Sequence, residues 1–343
     1  MQRINRQVII FPVLCIVLLA ILLLSGRYGA VDIQLEEIFS ALQKVFAGNG
    51  ETTLNENIFL DIRLPRALLC VWVGASLAVG GTLMQGLFRN PIVEPGLVGT
   101  SSGAAFGAAL YFVLGASFKL NLGEWTLPFA ACAGAFLSTF LVFQFSRSKE
   151  TGKHSIVDLL LTGIAINALF MSGVGFLSYM ARDPQARSIT FWGLGTMSGA
   201  NWHSVLIVGI STLLCLAFAL RYAKHLNALM IGEEEAMFLG VNVRNLKRNV
   251  LVINVAMIAI ATAFVGVIGF VGLVVPHLLR MLHGSDHRYL IRNSALLGAI
   301  LLSVADLLAR MLLRPAELPI GIVTSLVGVP VFLLLLRTKK MFN

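Results

Sequence analysis

The sequence predicts an all-α polytopic membrane protein, and its composition, its hydropathy pattern and its charge distribution each indicate that class. Of its 343 residues, 57% are apolar and 13% are charged, whereas roughly a quarter of the residues in a soluble domain are charged. So few polar side chains cannot cover the surface of a soluble protein of this length. Much of the surface therefore faces lipid, where helices satisfy their own backbone hydrogen bonds.

Apolar stretches long enough to cross a bilayer recur along the whole chain. A helix needs about 20 mostly apolar residues to cross roughly 30 Å of hydrocarbon, and continuous runs suit helices better than the alternating strands of a barrel. The predicted spans are 8–25, 66–87, 97–116, 127–145, 156–180, 203–220, 249–272, 291–309 and 320–336, with a shorter one at 274–283. The count predicts about ten transmembrane helices. A cleaved signal peptide is the alternative for the first span, but its apolar run is too long and no clear cleavage site follows.

The net charge is +9, and the distribution of the basic residues along the chain agrees with the predicted membrane topology. With ten spans and a cytoplasmic N-terminus, seventeen of the 26 Lys and Arg residues lie on the inner side and nine on the outer side. This bias is the one that the positive-inside rule predicts, and it places both termini in the cytoplasm. The distribution favours a lipid bilayer over nucleic acid as the partner of these charges.

Three polar segments separate the spans most widely. Outer loops are predicted at about 27–62 and 181–202, and an inner loop at 221–248. The second outer loop has the pattern of a short interfacial helix, with Trp192 and Trp202 at the level of the lipid headgroups. None of these segments has room for a soluble domain, so residues 1–343 form a single transmembrane domain.

Two proline-containing segments interrupt the helical pattern, at 89–96 and at 269–277. Proline removes a backbone donor and ends or kinks a helix. The topology places the first break on the inner side and the second toward the outer side. Paired interruptions in opposite halves of a transporter favour an inverted repeat.

Small residues within the spans indicate close helix packing. Gly99, Gly103 and Gly107 recur every four residues on one helix face, which lets a neighbouring helix approach closely. The four cysteines lie inside apolar spans without CxxC spacing and indicate neither a disulfide nor a metal framework; they are Cys15, Cys70, Cys132 and Cys215.

The inner loop contains an acidic segment that begins at Gly232. Three carboxylates at a helix start complement the helix dipole, and the apolar residues Ala236, Met237 and Leu239 need a partner surface. Gly240 suits the C-terminal cap of a short helix. We therefore expect two short helices on the inner surface, with an ordinary solvated loop as the alternative.

Several strings occur in order along the chain. They are Arg63-Leu64-Pro65-Arg66, Gly80-x4-Gln85-x3-Arg89-Asn90-Pro91-x3-Pro95-x3-Gly99, Gly269-Phe270-Val271-Gly272-Leu273-x2-Pro276-His277, Asp286-His287-Arg288, Ala305-Asp306-x3-Arg310 and Glu317-Leu318-Pro319-Ile320-Gly321. Over about residues 60–336, this set resembles the FecCD-type permease subunits of type II ATP-binding-cassette (ABC) importers, which take up iron-siderophore, haem and cobalamin. The resemblance implies a homodimer and a multi-pass location in the bacterial inner membrane.

The resemblance also assigns the acidic segment a role. Glu234-Glu235-Ala236-x3-Gly240 is similar to the "EAA" loop of ABC-importer permeases, although the family usually has Ala at the position of Glu235. That loop docks into two ATP-binding subunits, and here it covers about 226–245. The implied coupling residues are Glu233, Glu234, Glu235, Ala236, Leu239 and Gly240.

On the outer face, the resemblance implies that Arg63, Arg66 and Arg310 bind carboxylates of a periplasmic substrate-binding protein. The arginine fork suits bidentate binding of a carboxylate, and anchoring of the spans at the headgroups is the alternative. The implied inner gate comprises Asn90, Ile92, Ser155 and Ile156, where apolar side chains would exclude water from a pore. Plain packing at a helix turn is the alternative there.

The chain has no G-x4-G-K-[ST] string, so ATP and Mg²⁺ are expected on the partner ATPase. We expect no catalytic residue, no cofactor and no metal site. His277, His283 and His287 lie close in sequence, but Gly284 and Asp286 favour a turn between them over a shared metal. Asp306 and Arg310 are expected to form a local i,i+4 pair.

Two functions from different classes fit these observations. The first is the permease subunit of an ABC importer that carries haem, a ferric siderophore or cobalamin. The alternative is an ion-coupled secondary transporter without an ATPase, which predicts ionisable side chains at mid-membrane; Asp158 and Asp306 both lie near span ends.

Overall fold

The computed structural model describes residues 2–29, 31–48, 51–115, 123–147, 156–314 and 316–339. All regular elements of these residues are helical. In chain order the helices are α1 (Gln2–Arg27), α2 (Leu35–Ala47), α3 (Leu54–Asn57), α4 (Leu64–Leu87), α5 (Thr100–Leu114), α6 (Thr126–Phe145), α7 (Ile156–Met180), α8 (Asp183–Gly193), α9 (Trp202–Leu229), α10 (Glu233–Phe238), α11 (Val243–Val265), α12 (Val271–His283), α13 (His287–Met311) and α14 (Ile320–Lys339). A π-helical turn (Ile58–Arg63) joins α3 to α4, and a 3₁₀ turn (Pro95–Val98) precedes α5.

The membrane-spanning class of the fold is confirmed. Seven helical stretches in the described part of the chain are long and apolar enough to cross a membrane, and α5, α12 and α14 are shorter apolar helices. Each predicted span coincides with one of these helices. Ten transmembrane crossings and cytoplasmic termini stay predictions, because length and composition alone do not orient a helix.

Helix α4 forms the centre of the bundle, and almost all of its side chains are buried. Glycines allow its neighbours to approach: a Cβ on Gly81 would overlap the carbonyl of Gly272 on α12. Gly103 on α5 and Gly134 on α6 meet in the same way, since each leaves no space for a methyl group beside the other's carbonyl. The predicted close packing along this glycine face is therefore confirmed.

The second helix break lies earlier than predicted. Helix α11 ends at Val265, and the chain turns through Gly266 (φ 76°) and Phe270 (φ 68°) before α12 begins. Pro276 lies inside α12 and does not end a helix. Proline there leaves the carbonyl of Gly272 without its usual amide donor. The side-chain amide of Gln85 compensates, because its Nε2 lies 3.4 Å from that carbonyl and 3.2 Å from the carbonyl of Leu273.

Parts of the two breaks contact each other inside the bundle, and the membrane side on which each break begins stays a prediction. The Glu94 carboxylate accepts a hydrogen bond from the Phe270 backbone N–H at 3.2 Å. A Cβ on Gly272 would come within 2.6 Å of the Pro95 ring, and the Asn254 Nδ2 donates to the Pro95 carbonyl at 3.0 Å. After α4 ends, the chain thus turns back into the bundle before α5 begins.

The inner polar segment is shorter than predicted because helices cover both of its ends. Helix α9 continues to Leu229 and α11 begins at Val243. Leu226 and Leu229 are fully buried against Ala236 and Leu246, so burial of one face extends α9 beyond the lipid-facing run. One short helix, α10, occupies this segment, and the second expected helix is the first turn of α11.

The outer segments also contain more helix than the sequence indicated. Residues 27–62 include α2 and α3, held together by an ion pair of 2.8 Å between Lys44 and Glu56. The predicted helix of the second outer loop is α8. Trp202 is exposed as expected, but Trp192 is buried and packs against α11, so its interfacial placement was wrong. The four cysteines are free thiols.

Candidate functional site

The inner acidic segment folds as a compact unit on the ends of α9 and α11. Helix α10 begins with Glu233, Glu234 and Glu235 in its first turn, where carboxylates stabilise the helix dipole. Glu233 forms an ion pair with Lys247 of α11, with 2.7 Å between the Lys247 Nζ and a Glu233 carboxylate oxygen. After α10, Gly240 adopts a left-handed conformation (φ 82°) that returns the chain to α11.

Apolar side chains of this unit point away from the protein. Phe238 is 91% exposed, Leu239 is 65% exposed and Met237 is 56% exposed, and Ile231 is exposed beside them. We call these four residues the inner apolar patch. Contiguous exposed apolar groups next to charged residues mark interaction surfaces. Ala236 is fully buried against the chain's own core, so its expected place on the partner-facing side was wrong.

Glu234 and Glu235 are exposed beside the inner apolar patch. Carboxylates next to an apolar surface suit a partner with basic side chains around an apolar groove. The sequence predicted the acidic residues, Met237 and Leu239. It missed Phe238 and Ile231, because a helix of six residues is too short for its hydrophobic period to identify an exposed face.

The three arginines predicted on the outer face lie close together, where α1 ends, α4 begins and α13 ends. Arg66 pairs with Asp306 at 2.8 Å and with Glu317 at 2.9 Å. Arg310 pairs with the other oxygen of Asp306 at 3.0 Å, which confirms the expected i,i+4 pair, and donates to the Ser25 hydroxyl at 2.7 Å. We call Arg63, Arg66, Arg310 and Asp306 the outer charge cluster.

Burial distinguishes this cluster from the exposed anchors that the sequence suggested. Arg63, Arg66 and Arg310 are 5%, 9% and 7% exposed, and Asp306 is 1% exposed. Arg63 donates to the carbonyls of Gly26 and Arg27, both at 2.8 Å, and to the carbonyl of Val31. Buried charges are tolerated when paired and hydrogen bonded. The cluster therefore holds α1, α4 and α13 together.

Exposed charges lie around the outer charge cluster. Arg314 and Asp32 form a loose pair of 3.7 Å, and both side chains are exposed to solvent. The Glu317 side chain, which pairs with Arg66, is 44% exposed. A partner protein that approaches this end of the bundle meets these groups before it meets the buried arginines.

The expected gate residues are described only in part. Asn90 lies at the turn after α4, where its side chain accepts a hydrogen bond from the Ile92 N–H at 3.0 Å. Ile92 is exposed. Ile156 begins α7, and Ser155 lies outside the described residues. The gate assignment stays a prediction.

His277 and His287 lie in separate surroundings. The expected turn is present, since Gly284 (φ 84°) follows α12 and α13 begins at His287. His277 contacts the ring of Phe332, whereas the Nδ1 of His287 lies 2.8 Å from the Asn227 side chain. In the described ranges, no three His, Cys, Asp or Glu side chains are grouped to hold a metal ion.

A cavity of about 380 Å³ lies between α5, α7 and α8, beside the meeting point of the two breaks. Its walls are mostly apolar, with Glu94, Ser101, Ser102 and Asn167 as polar exceptions. Sequence reasoning missed Glu94, because a carboxylate between two prolines has the pattern of a surface turn. The returning chain between α4 and α5 carries it into the bundle instead.

Comparisons with known proteins agree with this architecture. The hemin transport system permease protein HmuU of Yersinia pestis is 43% identical over 330 residues, which cover 95% of each chain. The cobalamin import system permease protein BtuC of Halobacterium salinarum is 40% identical over 279 residues, covering 81% of this chain and 73% of that protein. A solved inward-facing structure of a proposed metal-chelate type ABC transporter has a TM-score of 0.84 and 32% identity, over 96% of this chain and 99% of that one.

The hemin permease and the solved structure each match nearly the whole chain. The model of the FecCD transport family matches residues 16–338. The chain is a member of the FecCD transport family.

Proposed function

We propose that this chain is the permease subunit of an ABC importer, in which two copies form the path for a bulky metal chelate. The observation that carries the proposal is the inner apolar patch beside Glu234 and Glu235, on a chain whose relatives are permeases of importers. A protein that worked alone would have no need for an almost fully exposed Phe238 at its inner end. The ion-coupled alternative has no such support.

The inner apolar patch would dock into a cleft of each ATP-binding subunit. Phe238 and Leu239 supply the apolar centre, and Glu234 and Glu235 supply a charged rim that orients the partner. ATP and Mg²⁺ bind to that partner. Movement of the ATPases would then push α10, and through the buried Ala236 and the Glu233–Lys247 pair the movement would reach α9 and α11.

The outer end would receive cargo from a periplasmic binding protein. Carboxylates of that protein would approach Arg63, Arg66 and Arg310, with Arg66 the most accessible because its partner Glu317 is exposed. Exposed ion pairs contribute about 0.2–1 kcal/mol each, so these contacts would steer the partner and allow release. This orientation places both termini, α10 and Asn90 with Ile92 on the cytoplasmic side of the bacterial inner membrane.

The cargo class follows from the relatives, which are named for hemin and for cobalamin. We therefore propose haem, cobalamin or a ferric siderophore as cargo. The chain itself performs no chemistry on it. Ile92 and Ile156 would close the inner end of the path between the two copies by excluding water.

Association with an ATPase tests the proposal. The full chain, expressed together with the ATP-binding subunit from its own genome, should copurify as a complex of two copies of each. Liposomes that contain the complex should hydrolyse ATP faster when loaded binding protein is added. A chain that purifies free of any ATP-binding subunit and transports its cargo alone would contradict the proposal.

A further inference from the structure

The two breaks meet beside the cavity. The 3₁₀ turn before α5 and the first turn of α12 begin there. Pro95 begins the 3₁₀ turn before α5, and α12 begins one residue after Phe270. The N-terminus of a half-helix inside a transporter usually faces an anionic group of the substrate. In this chain, Glu94 occupies that position with its own carboxylate, which accepts the Phe270 N–H at 3.2 Å.

The rest of the wall leaves Glu94 as the dominant polar feature. Of the described residues around the cavity, Glu94 alone has an ionisable carboxyl group. The Asn167 Nδ2 donates to the Leu97 carbonyl at 3.2 Å, and the Ser102 hydroxyl donates to the Asn167 Oδ1 at 2.5 Å. These donors are directed at the chain itself, so a ligand meets the carboxylate in mostly apolar surroundings.

The cavity is accessible from the side of the bundle that α7 exposes. Met171 lines the cavity and is itself 53% exposed, so the cavity opens on this face of α7. A volume of about 380 Å³ is near the lower end of the roughly 300–1,000 Å³ of sites for drug-sized ligands. It accommodates one edge of a bulky chelate rather than the whole molecule.

We propose that this cavity binds a cationic or amide-bearing edge of the cargo and rejects a carboxylate-bearing edge, with Glu94 as the residue that determines this specificity. Among the proposed cargoes, this favours amide-bearing cobalamin over haem, whose polar edge consists of carboxylates. The inference rests on the proposed transport function, because the ligand is the passing cargo. A second carboxylate placed beside Glu94 would meet like charge in a poorly hydrated site, where such contact costs several kcal/mol. An ammonium or amide N–H would instead donate to the Glu94 oxygens.

A binding assay on the purified full chain tests this selectivity without any partner protein. Trp192 lines the cavity, so its fluorescence reports occupancy. In neutral detergent micelles, hexylammonium should change the emission saturably, and hexanoate should bind weaker by roughly tenfold or more. The Glu94→Gln variant should lose most of that preference, and Glu94→Asp should retain it. Trp192→Phe should remove the signal.

Glu124→Gln is the matched control, because this exposed carboxylate lies near His203 and away from the cavity; it should leave the preference unchanged. Equal binding of hexanoate and hexylammonium, or a preference that survives in Glu94→Gln, would overturn the inference. The assay uses no nucleotide and no ATPase. Its failure is therefore distinguishable from a failure of the proposed importer function, which the copurification measures.

Discussion

The two ends of this bundle differ in which side chains they bury: one buries charged side chains, and the other exposes apolar ones. At the outer end, Arg63, Arg66 and Arg310 are charged, yet they are buried and are hydrogen bonded or ion-paired within the chain. At the inner end, Phe238 and Leu239 are apolar, yet they are exposed. Exposed apolar area costs roughly 25 cal/mol per Å² relative to burial, so a partner that covers Phe238 and Leu239 gains binding free energy.

The difference separates two kinds of docking. At the outer end, the buried Arg66 and Arg310 are already paired with Asp306 of the same chain. A binding protein can therefore dissociate without leaving these charges unpaired. The inner end lacks a covering surface, so an ATPase that covers it gains binding energy and stays attached. Four variants, in order of decreasing effect, test whether the two ends differ in this way.

Substitution of Asp306 should have the largest effect. Asp306→Asn removes the carboxylate that both Arg66 and Arg310 share, and leaving buried charges unpaired costs about 3–5 kcal/mol. Thermal unfolding of the purified chain should show this loss. Asp32→Asn, at the exposed pair with Arg314, is the control and should cost at most about 1 kcal/mol. Equal, small effects of the two changes would mean that the outer charge cluster does not stabilise the fold.

Substitution of Phe238 should weaken the ATPase complex without affecting the fold. Removal of a central aromatic from an interface typically costs about 2 kcal/mol or more, a loss of roughly 30-fold in affinity. Titration of the ATP-binding subunit onto Phe238→Ser should show that loss. Phe39→Ser on α2 removes an exposed phenylalanine from the outer end and should leave the affinity unchanged. If both variants bind the ATPase like the native chain, the inner apolar patch has another role.

Charge reversal at the rim of the patch should uncouple the two partners. In Glu234→Arg with Glu235→Arg, the exposed carboxylates become cations that repel the basic rim expected of the ATPase, a cost of about 1 kcal/mol or more for each like-charge pair. ATP hydrolysis should then become insensitive to loaded binding protein in liposomes. Native coupling in this double variant would count against the docking assignment.

Substitution of Arg314 should have the smallest effect. Arg314→Glu changes an exposed charge at the outer end, so binding-protein affinity should fall by about 0.2–1 kcal/mol for each ion pair that the change removes. The effect should shrink as salt is added, because exposed charges are screened. Arg248→Glu, an exposed site near the start of α11, should have no effect on that affinity. A decrease that is equally large at high salt would contradict a steering role.

The sequence predicted the helical membrane fold and most span positions, because the composition and the length of each apolar run decide them. It did not predict the burial of Arg66, which depends on Asp306 and Glu317, residues more than two hundred positions away. The sequence left open whether Pro276 ends or kinks a helix, since only the structure reveals that it lies inside α12 and that Gln85 donates to the carbonyl of Gly272. Glu94 was missed because its place in the wall of the cavity depends on the return of the chain into the bundle between α4 and α5.

Nucleotide-dependent uptake is the most direct test of the central claim that a separate ATPase drives this chain through α10. Radiolabelled or iron-loaded cargo, presented with binding protein, should enter liposomes that contain the chain, the ATP-binding subunit and ATP. Uptake should stop when ATP is withheld, when the ATPase is omitted, and when the chain carries Phe238→Ser. Uptake by the chain alone, without nucleotide, would contradict the account.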